Sequence, residues 1–320
     1  MDTAIDIGLA GQPVAAKPSG PVHWLRTIGH FCRKKPLGAL GGLIVVVMIL
    51  IALFVDTAII GGSTPLLAPE GYNVQHIHIG QTNQGMSWAH PFGTDELGRD
   101  ILSRVMYGIR ISTIIGLTGV TFAALLSLLL GTVSGYFGGW TDTIIQRFVD
   151  ALLAIPALIL VIYVIIVFAA RAGPYARMFW ITAVVGFIVG VGATRVVRSA
   201  AIAAAQNQYV DAARAIGATN MRIVLRHIVP NVVPIVIVLA TINVGTLVLA
   251  EAAISFLGYG VPSPFPSLGG MLSIAGSSQF RAYPLQAIWP GIAIFLLVYG
   301  FNVFGDALRD VFDPRLRGGR

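Results

Sequence analysis

QYVDAARAIGATNMRIVLRHIVPN, residues 208–231, is a polar interruption in an otherwise apolar sequence. It carries one acid, Asp211, and three arginines, Arg214, Arg222 and Arg226, with Gly217 near its middle. Tyr209, Ala212, Ala213 and Ile216 recur at the i, i+3, i+4, i+7 spacing of one helix face, while Asp211 and Arg214 share another. Gly217 suits a left-handed helix cap, and Thr219 or Asn220 can open a second helix. Met221, Val224, Leu225 and Ile228 then form a second stripe opposite Arg222 and Arg226, and Pro230 and Pro234 are expected to end the unit. The reading is two short amphipathic helices meeting at an elbow of small residues. A pair of helices lying on a lipid surface would explain the stripes, but not the alanines and glycine of the elbow.

The flanking sequence is too apolar for a soluble domain. Of 320 residues, 56% are hydrophobic and 11% charged, with mean hydropathy +0.80; soluble domains carry roughly 25% charged residues. Cys32 is the only cysteine, so neither an intramolecular disulfide nor a cysteine metal cluster can form. The basic N-terminal stretch ends in a run long enough to span, which reads as a retained signal-anchor rather than a cleaved signal.

Six runs are candidate membrane spans: 37–55, 111–133, 151–170, 179–197, 232–250 and 287–305. Pro156, Gly186, Gly190, Pro234 and Gly245 interrupt them, which membrane helices tolerate when neighbours repair the backbone. With the N-terminus inside, 15 of the 21 lysines and arginines fall on the inner side. The excess of inner positive charge places both termini and the 198–231 insert in the cytoplasm. The basic balance is therefore a topology signal and not a nucleic-acid surface. The organisation expected is a cytoplasmic tail 1–36, a six-span domain 37–305 with outer loops 56–110 and 251–286, and a cytoplasmic tail 306–320. No internal repeat and no separate soluble domain is evident.

Asp211-Ala212-Ala213, Gly217 and Pro230 fall at the spacings of a motif reading E-A-A, three residues, G, nine residues, I-x-L-P. The chain thereby resembles the permease subunits of binding-protein-dependent ABC importers. It departs from the motif in Asp211 for the glutamate, and in His227 and Val229 at the I and L positions. A literal Glu251-Ala252-Ala253 is a decoy, since Gly258 comes one residue late and the segment falls on the outer side. HPFGTDELGRDILSRVMYGIRIS from His90 and LAEAAISFLGYGVPSPFPSLGGML from Leu249 resemble component C of the dipeptide, oligopeptide and nickel branch.

The resemblance implies an all-α integral membrane protein with the type I ABC importer permease fold, multi-pass in a bacterial cytoplasmic (inner) membrane. It implies a transport subunit without catalytic residues, carrying dipeptides or oligopeptides. A nickel or other small-solute importer is the alternative, and an ion-driven secondary transporter the more distant one. Implied partners are a second, non-identical permease, two ATPase subunits or a fused one, an extracytoplasmic substrate-binding protein and membrane lipid. The insert would be the coupling element, with Asp211, Ala212, Ala213, Arg214, Gly217 and Pro230 as its residues. ATP and Mg would bind at the ATPases, because the three lysines, Lys17, Lys34 and Lys35, lie in the N-terminal tail without the G-x-x-x-x-G-K-[ST] pattern a phosphate loop requires.

Four further groups stand out on their chemistry alone. His76, His78 and His90, with Asp95, Glu96 and Asp100, contain ligand types for a transition metal. They read instead as a folded loop with capping acids around a Gly93-Thr94-Asp95 turn, and no metal is assigned. Glu251 either lines the path or a gate, as ionisable groups at membrane depth do, or lies in water as a cap. Arg195 and Arg198 are expected to snorkel to the inner headgroups, and Asp306, Arg309, Asp310 and Asp313 to form a solvated helix end.

Overall fold

The computed structural model describes residues 32–55, 77, 80–169, 171, 173–262, 265–277 and 281–312. The expectations for most of 1–36, for His76 and His78 and for Asp313 onward fall outside these residues. Leu37–Arg320 forms one unit, and all that follows concerns it.

The described residues are almost entirely helical, as an apolar environment demands of backbone groups that have no water to bond. α1 is Pro36–Phe54 and α2 is Ile101–Phe137. α3, Gly139–Leu153, and α4, Ala157–Ala169, are bent by 84° at a short break. α5 is Pro174–Ala205, α6 is Gln208–Ala215 and α7 is Asn220–Ile223. A π-turn, Val224–Ile228, leads into α8, Val229–Phe256. α9 is Leu268–Ser277 and α10 is Leu285–Phe312. Among the described residues five helices are long and apolar enough to cross a membrane, and the bent α3–α4 pair, counted as one span, would be a sixth. Large apolar side chains such as Leu43, Leu125, Leu129, Ile159 and Phe295 face outward, where lipid would lie.

Several expected boundaries move, each for a local reason. α2 begins at Ile101 rather than near 111, because the Asp100 carboxylate accepts the Ser103 N–H at 2.7 Å and caps the helix there. Its 37 residues rise about 55 Å, well beyond the ~30 Å of a hydrocarbon core. The third span is not one helix over 151–170. Pro156 has no N–H to continue α3, and the chain restarts with the Ile159 and Leu160 N–H groups on the Pro156 carbonyl. α4 alone rises only about 20 Å, too short to cross. α5 overruns 179–197 at both ends, from Pro174 in its first turn through the helix-favouring alanines to Ala205.

α2 and α5 pack along much of their length, and α8 contacts both together with α9 and α10. The contact is backbone on backbone. A Cβ on Gly186 would stand 2.7 Å from the Gly119 carbonyl oxygen, and one on Gly190 would stand 2.9 Å from that of Ala123. Two glycines that read as interruptions are thus small-residue contact points, four residues apart on one face. Gly41 plays the same part where α1 meets α10, since a Cβ there would stand 2.9 Å from the Phe304 nitrogen. One apolar cluster fills the body, with Ile115, Ile181, Leu247 and Leu297 among its members. A second sits at the insert end, built from Val197, Ala201, Val210, Ala213, Ile223 and Ile228.

Candidate functional site

The insert is shorter than expected. α5 runs to Ala205, so the non-spanning unit reduces to α6, the elbow and α7. Gln206 and Asn207 break the helix, and the Asn207 side-chain amide donates back to the Ala203 and Ala204 carbonyls. α6 ends at Gly217, whose φ of +80° opens the left-handed turn. There the Gly217 N–H donates to the Arg214 carbonyl and the Ala218 N–H to that of Ala213, the bond pair of a Schellman cap. Thr219 then caps α7, accepting the Arg222 N–H at 3.4 Å.

The second helix of the expected pair is not separate. From Asn220 to Phe256 the chain is continuously helical, through the π-turn and past Pro230 and Pro234. The Val229 N–H reaches back five residues to the Val224 carbonyl, and this widened turn absorbs Pro230, which has no N–H to place. Pro230 therefore joins insert to span instead of ending the insert.

The expected stripes are also divided. Val210 and Ala213 are buried against α5 and the first turns after the elbow, whereas Asp211, Ala212, Arg214 and Ile216 face out. Ile216 is 87% exposed. In the next stripe Val224 and Ile228 go inward together with Ile223, while Met221 and Leu225 stay outside. In the second stripe the π-turn shifts the register, which no single 3.6-residue period contains. Ala213 thus packs within its own chain, and the outward surface consists of Asp211, Ala212, Ala215, Ile216, Met221 and Leu225.

Polar contacts hold this unit to the end of α2. The Tyr136 hydroxyl donates to Asn220 Oδ1 at 2.9 Å, and the Arg214 guanidinium lies 5.6 Å from the centre of the Tyr136 ring. Arg214 also stands 3.6 Å from Asp211, too far and too exposed to add much stability. Tyr209 lies beside His227, ring centres 6.0 Å apart.

Arg195 and Arg198, expected to snorkel, both pair with acids of α3. Arg195 binds Asp150 at 2.6 Å, and Arg198 grips both oxygens of Asp142 at 2.6 and 2.5 Å. Asp142 and Asp150 were not singled out in the sequence, though they lie two turns apart on one short amphipathic helix. At the end of α10, Asp306, Arg309 and Asp310 are exposed.

At the other end of the body Glu251 is fully buried, which removes the reading of it as a water-exposed cap. Its carboxylate accepts the Ser112 hydroxyl of α2 and the Ser255 hydroxyl one turn on, each at 2.7 Å. A Cβ on Gly269 would lie 2.1 Å from the Ala252 carbonyl oxygen, so α9 rests directly on this turn of α8. Glu251 is therefore a junction of α2, α8 and α9. Ser255, four residues after Glu251, was readable as its neighbour on the helix; Ser112, 139 residues earlier, was not.

The loop before α2 is likewise closed on itself. His90 lies between Asp100 Oδ1 and Gln81 Oε1, 3.1 Å from each, so both ring nitrogens are engaged. Gly93 has φ +80°, and Asp95 accepts the Leu97 and Arg99 N–H groups and the Arg99 side chain. Gln286 of α10 ties the loop down by donating to Asn83 Oδ1 and the Thr94 carbonyl. Among the described residues no three metal-ligating side chains come together.

Long packed spans, one of them broken, with a small exposed elbow between the fourth and fifth, define a membrane permease. Residues 127–318 match the model of the binding-protein-dependent transport system inner membrane component family, and the chain belongs to that family. Its fold is the type I ABC permease fold, and it is a non-catalytic transport subunit of the bacterial inner membrane. It is 38% identical over 286 residues to the dipeptide transport system permease protein DppC of Alkalihalophilus pseudofirmus, covering 89% of this chain and 88% of that protein. The glutathione transport system permease protein GsiD of Pectobacterium atrosepticum is 35% identical over 309 residues, 97% of each chain. The oligopeptide transport system permease protein OppC of Bacillus subtilis is 34% identical over 285 residues, 89% of this chain and 88% of its own.

Proposed function

We propose that this permease carries small peptides inward as one half of an ATP-driven importer, and that the α6 elbow is where a partner ATPase pushes. The observation that carries the coupling reading is the two-sidedness of α6. Val210 and Ala213 lock its inner face to the body, while Asp211, Ala212 and Ile216 present an exposed outward face. A helix held on one side and open on the other can receive a rigid-body push and pass it to the spans. The peptide cargo rests on what the dipeptide, glutathione and oligopeptide relatives carry.

The inner excess of arginine and lysine supports a cytoplasmic elbow and cytoplasmic termini. On this reading a second, non-identical permease completes the path. Two ATPase subunits, or a fused one, bind ATP and Mg below, and a binding protein delivers cargo from outside. Glu251 then belongs to the outer junction of α2, α8 and α9, a place for a gate.

The test is affinity purification of the tagged chain from its own membranes, with ATP hydrolysis assayed in the eluate. Wild type is expected to bring ATPase subunits and activity. Gly217→Pro, which cannot adopt φ +80°, and Asp211→Lys are expected to arrive intact without them. Wild type arriving alone under mild detergent would overturn the reading.

A further inference from the structure

α3 is tied to α5 more firmly than the need to cover a surface explains. Arg198 Nε and its terminal nitrogen donate to the two oxygens of Asp142, a planar fork on a carboxylate. The Ser134 hydroxyl of α2 donates to Asp142 Oδ1 at 2.5 Å, and the Gln146 side chain donates to Ser134 Oγ at 3.0 Å. Beneath this group the helices touch backbone to backbone: a Cβ on Gly135 would stand 2.6 Å from the Arg198 carbonyl oxygen. Asp142, Arg198, Ser134 and Gln146 thus bind α2, α3 and α5 at one point.

That point lies on the route from the elbow to the broken span. Ala201 and Ala204, the next two turns of α5 after Arg198, pack in the same cluster as Val210 and Ala213 of α6. On its other side α3 runs eleven residues from Asp142 to Leu153 and bends by 84° into α4. The second pair, Arg195–Asp150, is about half exposed on both sides, so solvent screens it.

We infer that Asp142 and Arg198 are positioning residues for transport, making α3 move as one body with α6, so that displacement of the elbow reaches the break at Pro156. The inference rests on the coupling reading above. Without the clamp, α6 would still dock and the ATPase would still turn over, but α3 and α4 would lag behind.

The experiment uses the complete importer in proteoliposomes, measuring labelled dipeptide uptake and ATP hydrolysis together. Asp142→Asn and Arg198→Lys, which keeps charge but loses the fork, are expected to keep ATP hydrolysis. Their peptide uptake per ATP should fall about five- to tenfold, the scale of a lost coupling contact. Asp142→Glu should recover most of the loss, and Arg195→Gln should match wild type. An unchanged ratio in Asp142→Asn, or an equal fall in Arg195→Gln, overturns the assignment. A wild-type complex that shows neither uptake nor ATP hydrolysis fails the coupling reading itself, a different result. If Asp142→Asn does not assemble, spin labels on Arg147→Cys and Gln208→Cys, with Cys32→Ser, decide in the otherwise wild-type importer. A separation unchanged between nucleotide-free and ATP-bound states supports a single α3–α6 body, and a changed one overturns it.

Discussion

Two segments of this chain read nearly alike: Asp211-Ala212-Ala213 leading to Gly217, and Glu251-Ala252-Ala253 leading to Gly258. They also end alike. Gly217 and Gly258 have φ +80° and +85°, and each is followed by the same pair of cap bonds, Ala218 to Ala213 and Tyr259 to Ile254 closing the outer one. Their surroundings are opposite. The Asp211 side chain is 72% exposed, while that of Glu251 is fully buried on two serine hydroxyls. Ala252 rests under Gly269 of α9, whereas Ala212 is exposed. One local program thus produces an internal joint at one end of the molecule and an exposed face, the one proposed for docking, at the other. Local sequence specifies the turn; what packs on it specifies its use.

The comparison can be broken most directly at the acids. Glu251→Ala should cost about 2–4 kcal/mol, because the Ser112 and Ser255 hydroxyls lose their acceptor and a void remains. Thermal unfolding in detergent would show it. Asp211→Ala should leave unfolding within about 0.5 kcal/mol of wild type, as exposed sites do, yet reduce ATPase recovery. Equal stability losses at both acids would end the distinction.

A smaller effect is expected within α6, where two adjacent alanines face opposite ways. Ala213→Leu should destabilise by about 1–3 kcal/mol through overpacking of the Val197–Ile228 cluster. Ala212→Leu should leave stability alone and weaken ATPase binding. If Ala212→Leu were the destabilising one, the assigned inner face would be wrong.

At the glycines the two segments should converge. Gly217→Ala and Gly258→Ala meet no atoms within 4 Å, so each should cost only the left-handed strain of about 1 kcal/mol. Only Gly217→Ala should also lower peptide-driven ATP hydrolysis. The smallest change expected is Thr219→Ala. Its cap bond is long at 3.4 Å, so the loss should be about 0.5 kcal/mol, at the low end of the range for caps. A loss above 2 kcal/mol would mean that Thr219 does more than cap.

Much of the architecture was legible because its signals are local. Apolar runs mark the spans, Gly217 marks the elbow, and Thr219 marks the restart. What was not legible depends on partners far along the chain. Pro230 looked like a terminator because a π-turn before it has no composition signal. Gly186 and Gly190 looked like weak points because the helix pressed against them, α2, lies more than sixty residues earlier. Arg195 and Arg198 looked like headgroup anchors because Asp150 and Asp142 are 45 and 56 residues away.

By itself the sequence determined that this is a membrane permease of the importer family, how its apolar runs are ordered, and where the polar elbow interrupts them. Hydrophobic length, glycine handedness and motif spacing are properties of neighbouring residues, and they survive without a fold. The tertiary structure alone decided which alanine of each pair faces out, that Glu251 is a joint, and that Asp142 holds Arg198. Burial and ion pairing depend on which distant helix arrives, and helices here approach as closely as their glycines allow.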